Sequence, residues 1–349
     1  MSSNATTSAP PDLDARVGAD AAVDLVSLGR ANLDLYAQDI GADFADITGF
    51  DAMVGGSPTN IAIGAARLGI TTSLLSAVGT DRVGDFVLRY LNDEGVDTSH
   101  VSRIDGKLTS LALLGVKPPS DFPLSFYRED PADIYLRPAD VEAFPLDRTR
   151  MIQISGNALS RGACAEAAVH AASEAARLNV TTTLDLDLRP TEWAKPGDFG
   201  VAVRTIAPSL DVVIGTEEEF HAALMHESDT PLSHDPIPNN ELSSLNGAIA
   251  ELTENGATTA VVKRGKEGAT IVQRGQSLDV AGYPAQVVNT VGAGDAFAAG
   301  LLRSRLVGLD WPDAVRFANA CGALVVTRHG CSSAMPTESE VEAVLAAHT

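Results

Sequence analysis

The chain has 349 residues, enough for one large domain or two modest ones, and its 45% hydrophobic and 20% charged residues are ordinary for a globular protein. A formal net charge of −21, with no long Lys/Arg cluster to offset it, argues against nucleic acid or an anionic membrane as partner; an anionic small molecule fits only where a few cations converge. Cys164, Cys321 and Cys331 lack Cys-x-x-Cys spacing and the His residues form no His-x-x-x-His pair, so the thiols read as reduced, in a cytoplasmic protein, and no metal site follows from them.

Residues 1–22 have neither a basic start nor an apolar signal core, and no later stretch reaches membrane-spanning length, so a flexible tail is expected there. The Asn4-Ala5-Thr6 sequon carries no weight in such a tail. "VDLVSLG" opens the first strand, and "GRANLDLY" after it places Asn32 and Asp34 just past its carboxyl end, where they suit a polyol or simply form a turn. "VGGSPTNIAIGAARLG" follows: Gly55 and Gly56 let backbone approach a ligand, Asn60 offers both donor and acceptor, and Ile61, Ala65 and Leu68 form a helical apolar stripe. Further strand-like runs, "TSLLSAVG", "RMIQISG", "VTTTLDLDL", "DVVIG", "TAVVKRG" and "ATIVQRG", alternate with helical segments. That alternation predicts an α/β fold with a mainly parallel central sheet covered by helices. Two stretches, about 34–53 and 107–137, carry short β-like pieces without an amphipathic helix and are expected to pair as a small β-sheet lid over the strand ends. The polar, proline-bearing stretch at about 226–242 reads as an insertion loop. Residues 23–349 otherwise form a single unit, with no internal repeat.

The cations an acidic protein needs for an anionic ligand are Arg128 in "SFYRED" and Arg189 in "LDLDLR", whose period-2 alternation puts Arg189 on one strand face with Asp185 and Asp187. On the residues alone, pairing of Arg128 with Glu129 or Asp130, and of Arg189 with Asp187, is favoured over ligand contact. "NTVGAGDAFAAGL" poses the sharper choice. A dinucleotide fingerprint fails twice, because Phe297 replaces the third glycine and Asp310 and Asp313 begin a helix rather than end a strand. A phosphate cradle fits better: Gly292 and Gly294 free backbone N–H groups at a helix N-terminus. Asp295 would repel a resting phosphate, so it is either the base that takes a proton from an attacking hydroxyl or a helix cap, and the residues alone weigh the two equally. No Gly-x-x-x-x-Gly-Lys-Ser/Thr loop occurs, so a triphosphate would have to be held by other loops and a metal ion.

With the Gly-Gly segment early, "NTVGAGDAFAAG" late and "FANACGALVVTRHG" beyond it, the sequence resembles the ribokinase, or PfkB-type, family of carbohydrate kinases from about Val23 to Pro336. Within it, "FYREDPADIYL", "LDLDLRPTEW" and "CSSAMPT" resemble the branch acting on 5-dehydro-2-deoxygluconate in myo-inositol catabolism, and less closely the branch acting on 2-keto-3-deoxygluconate. The resemblance implies a ribokinase-like fold and transfer of the γ-phosphoryl group of ATP, with Mg²⁺, to the 6-hydroxyl of 5-dehydro-2-deoxygluconate. 2-Keto-3-deoxygluconate is the alternative acceptor, and a non-catalytic nucleotide or sugar sensor is the alternative class. It makes Asp295 the catalytic base and Gly292, Ala293 and Gly294 its anion hole. Asn32, Asp34, Gly56 and Asn60 match sugar-holding positions, and Arg128 and Arg189 match positions that contact a sugar acid. Lys263, Gly265 and Gly268 match a stretch bordering the nucleotide, and Asn319 lies in the helix on the adenine side. The family's Asn-x-x-Glu motif is present only in part: Gly215 stands for the Asn, so Glu218 is the candidate for holding Mg²⁺ through water and Glu219 the substitute. Asn289 stands where an Asp often occurs, which leaves a monovalent-cation requirement open. A homodimer through the lid edge is a further expectation.

Overall fold

Leu25 and Val26 are neighbours in the first strand, both are fully buried, and they belong to different cores. A strand buried on both faces is what a helix-covered parallel sheet requires. The computed structural model describes residues 22–118, 122–223, 242–254, 256–273 and 275–348. The expected tail lies outside the described residues except for Ala22, and the expected insertion lies outside them except for Leu242.

Among the described residues the central sheet has ten strands. Its order runs β14 (Gln276–Val280), β13 (Ala269–Gln273), β12 (Thr259–Lys263), β11 (Val212–Thr216), β10 (Thr181–Asp185), β9 (Thr149–Ser155), β1 (Val23–Leu28), β4 (Thr72–Gly79) and β5 (Val96–Asp97), while β6 (Val101–Ile104) also pairs with β4. Every pairing from β12 to β5 is parallel, and only the β12–β13 and β13–β14 ladders are antiparallel. Helices α4 (Gly162–Leu178), α5 (Pro196–Ile206), α6 (Glu217–Ala223) and α7 (Leu242–Glu254) cover one face, where Ala168, Phe199, Phe220 and Ile249 meet Val26, Ile152, Leu184 and Val213. On the other, α1 (Ser57–Arg67), α8 (Ala293–Leu306) and α9 (Trp311–Val325) pack Ile61, Leu301 and Val315 against Leu25, Met151 and Ile214. The Asp310 carboxylate caps α9 by accepting from the Asp313 N–H at 2.9 Å, the helix start that the dinucleotide reading could not accommodate.

The two β-rich stretches do form a second sheet, of four strands, in the order β3 (Phe50–Gly55), β2 (Asn32–Ala37), β7 (Leu111–Leu114) and β8 (Leu124–Tyr127). β2 joins them, pairing antiparallel with β3 and parallel with β7. A third core ties this sheet to the main body, Val54, Ala112 and Leu114 packing with Leu74, Val87 and Phe317; Val87 lies in α2 (Arg82–Asp93).

Candidate functional site

Parallel strands end on one edge, and here the edge gathers chemistry. The register sets Asp185 opposite Ser155 and Ile214, and Thr216 opposite Lys263, so the ends of β9, β10, β11 and β12 lie side by side with the start of α8. A cavity of about 650 Å³ opens there, bordered by Asn32, Asp34, Gly56, Asn60, Arg189 and Asp295. A second, of about 440 Å³, is bordered by Gly265, Gly268, Tyr283, Ala293, Phe297 and Asn319. Thr216, Lys263, Thr290 and Gly294 border both, so the loop before α8 is the threshold between them.

Asp295 is the third residue of α8, whose N-cap is Gly292 and has no side-chain cap. Its carboxylate instead accepts from Asn60 Nδ2 of α1 at 2.8 Å, which removes the capping explanation. Burial raises its pKa above the usual carboxylate value, the nearby Asp187 charge adds to this, and the Asn60 hydrogen bond opposes both. Gly292 has φ 88°, and a Cβ there would sit 2.4 Å from Cys331 Sγ, so the turn that aims the first N–H groups of α8 at the threshold needs glycine on two counts.

On the first cavity's floor, Asn32 Nδ2 donates to Asp34 Oδ1 at 2.5 Å. Burial, assisted by the Asp295 charge, pushes the Asp34 pKa up to about 7 against the pull of Arg30 and the Asn32 bond. The Gly56 position is dictated by the protein's own backbone, since a Cβ would lie 2.5 Å from the Arg30 carbonyl oxygen. The expected alternation of Asp185, Asp187 and Arg189 along one strand face is not observed. β10 ends at Asp185, and Asp187 takes a left-handed φ of 35°, which reorients the following residues. Asp185 faces Lys263 Nζ at 3.1 and 3.2 Å; Asp187 accepts from Ser155 Oγ at 2.7 Å and pairs with Arg189 at 2.8 Å. Burial works against the Lys263 charge, but Asp185 and Glu219 outweigh it and keep the ammonium protonated.

Arg128 is the expected acid contact that the structure sets apart from the cavity border. It does not border the cavity; its guanidinium is 4% exposed and pairs with Asp133 and Glu192, while Arg161 donates to its carbonyl oxygen at 2.9 Å. The residue absent from the sequence reading is Arg30, which borders the cavity and is 5% exposed. A signal was present, since "GR" directly after the first strand places a cation at the strand ends of a protein short of cations.

Glu218 borders a third cavity, of about 650 Å³, with Glu217, Lys263 and Arg264. Glu219 is committed elsewhere: its oxygens accept from the N–H groups of Leu188 at 3.0 Å and Thr216 at 2.8 Å. At Gly215, where the motif has Asn, a Cβ would fall 2.5 Å from the Leu186 side chain. Asn289 is fully buried, donating to the Gly330 carbonyl at 3.1 Å and accepting from the Val291 N–H at 3.0 Å. Asn319 Nδ2 donates to the carbonyls of Val280 at 3.2 Å and Ala281 at 3.1 Å, which ties α9 to the end of β14. Among the described residues no group of three or more His, Cys, Asp or Glu side chains is arranged to hold a metal ion.

A strand-edge threshold with a half-buried carboxylate beside a helix N-terminus is an arrangement for group transfer between two small molecules. Residues 23–338 match the model of the pfkB family carbohydrate kinases, and the chain belongs to that family. The 5-dehydro-2-deoxygluconokinase of Geobacillus kaustophilus is 34% identical over 328 residues, 93% of this chain and 94% of that one. Among solved structures, the fructokinase of Xylella fastidiosa with bound ATP is 25% identical with a TM-score of 0.79, over 93% of this chain and 98% of its own. The fructokinase of Vibrio cholerae with fructose, ADP and calcium bound is 26% identical with a TM-score of 0.78, over 93% and 99%.

Proposed function

We propose that this carbohydrate kinase transfers the γ-phosphoryl group of ATP to the 6-hydroxyl of 5-dehydro-2-deoxygluconate. The observation that carries the reading is the position of Asp295, half-buried on the border of one cavity and one residue from Gly294, which borders both. The acceptor takes the larger cavity, where Asn32, Asp34 and Asn60 offer donors and acceptors to hydroxyls. Asp295 removes the proton of the attacking hydroxyl, and its raised pKa makes it a stronger base than an exposed carboxylate. The N–H groups at Gly292, Ala293 and Gly294 hold the charge that develops.

The smaller cavity fits a nucleotide: Tyr283, Val287 and Val326 give an apolar slot for a flat base, and Lys263 and Lys266 give cations for phosphates. ATP supplies the phosphoryl group, and Mg²⁺ offsets the charge of its phosphates. With no cluster of three or more His, Cys, Asp or Glu side chains for a metal among the described residues, Glu218 is suited to hold Mg²⁺ through water, and Glu218→Gln should raise the Mg²⁺ concentration needed for half-maximal rate. The small sheet acts as a lid on a single kinase unit, since Ala112, Leu114, Leu124 and Phe126 wall the acceptor cavity and would exclude water. A cytoplasmic setting belongs to the same proposal and is supported by three buried free thiols.

The substrate choice follows the relatives' name and the arginines at the cavity. A coupled assay of ADP release with 5-dehydro-2-deoxygluconate, 2-keto-3-deoxygluconate, fructose and ribose tests it. The first should show the highest kcat/KM; a preference for 2-keto-3-deoxygluconate or a neutral sugar overturns the choice of acceptor, and no turnover with any sugar overturns the transfer reading.

A further inference from the structure

Arg30 and Arg189 border the acceptor cavity, Arg128 lies near enough to Arg30 to act on its charge, and two of the three are neutralised by contact. Arg128 lies between Asp133 and Glu192, and Arg189 pairs with Asp187 at 2.8 Å. Arg30 differs. It is 5% exposed, its Nε and Nη1 find no hydrogen-bond partner among the described residues, and it borders the cavity. Its guanidinium lies over the Phe126 ring at 5.1 Å, a contact that holds the plane without using its N–H groups. The backbone beneath is fixed, because the chain at Gly56 presses on the Arg30 carbonyl closely enough to exclude any Cβ. The carboxylates nearby are engaged: Asp34 accepts from Asn32, and Asp187 is shared by Ser155 and Arg189.

A buried guanidinium with unmade hydrogen bonds is costly unless an anion completes it. A planar fork in a rigid setting matches a carboxylate. We propose that Arg30 is the residue that receives the carboxylate of the acceptor and thereby sets the enzyme's preference for sugar acids over neutral sugars. This rests on the larger cavity being the acceptor site. It places the acid end of the acceptor beneath the small sheet, against Phe126, and assigns Arg128 no contact with it.

The test has two arms. In turnover, Arg30→Met should lower kcat/KM for 5-dehydro-2-deoxygluconate about ten- to a hundredfold more than for fructose, chiefly through KM, and Arg30→Lys should recover part of the difference. Equal losses on both acceptors overturn the proposal. The second arm uses no nucleotide: calorimetric titration of the full chain with gluconate and with glucitol, which differ only in the end group. Wild type should bind gluconate at least about tenfold more tightly, and Arg30→Met should abolish that preference. Should the Met variant fail to fold, Arg30→Lys must show the same preference reduced severalfold, because a point charge keeps the attraction and loses the fork. A gluconate preference unchanged in the variants, or none in wild type, sinks Arg30 as the acid reader. Failure of the kinase reading would appear separately, as absent turnover with the titration difference intact.

Discussion

At Asp295 two demands meet in one carboxylate: it must lose its proton to act, and its burial makes that harder. Because the pKa is raised, the acid limb of the kcat profile should lie above the ordinary aspartate range, and Asp295→Asn should lower kcat by about 10²-fold or more with little change in the KM for ATP. Near-normal turnover in that variant would remove the base. Asp34 gives a prediction of a different kind. Its pKa is pushed up from the ordinary carboxylate range to about 7, so the folded chain holds a proton that the unfolded chain releases. The stabilisation from that proton is fully present below the unfolded value and is lost as pH rises through about 7. Asp34→Asn removes the titration, so its melting temperature relative to wild type should be higher at pH 8 than at pH 5, while acceptor KM rises; a pH-independent difference would contradict the buried-carboxylate account. Asp295 was legible as one of two options because glycines flanking an acid at a helix start have few uses, and the bond to Asn60, 235 positions away, which speaks against the cap, could not be read from the local sequence.

Among the elements, the strands were the most legible part, since residues buried on both faces produce unbroken apolar runs that alternating helices punctuate. What failed was local conformation at their ends. Period-2 reasoning carried Arg189 onto a strand face, but the left-handed Asp187 ends the alternation, and nothing in "LDLDLR" announces it. The partners of Arg128 were illegible for a related reason: it follows β8, and they come from turns at residues 132–135 and 190–192 that no local pattern connects. Those contacts pin the end of the small sheet to the loop beyond β10. With Asp133 and Glu192 3% and 8% exposed, removing the cation leaves Asp133 uncompensated and Glu192 with Arg161 alone, at 3.4 Å. Arg128→Ala should therefore cost about 3–5 kcal/mol of stability in chemical denaturation and reduce activity on acid and neutral acceptors alike. A selective loss on acids with unchanged stability would return Arg128 to the acceptor site.

At the scale of the whole molecule, the small sheet is open at both edges among the described residues, and an open edge is a place for another chain to pair. One edge is β8, where Leu124 is 42% and Tyr127 is 62% exposed, and Ile40 and Phe44, in the connection between β2 and β3, add 51% and 39%. Apolar side chains beside unpaired strand groups favour association with a like surface, for which a second copy of the chain is always available. Leu124 and Phe126 also wall the acceptor cavity, so pairing along β8 would stiffen the cavity's outer side. The expected solution species is a homodimer. Replacing Leu124 and Tyr127 together with Lys should give a monomer by light scattering, with the acceptor KM raised and the ATP KM little changed, because the nucleotide cavity lies on the far side of Gly294. Wild type that stays monomeric at every accessible concentration would end the pairing idea, and a monomeric variant with an unchanged acceptor KM would separate the edge from the site.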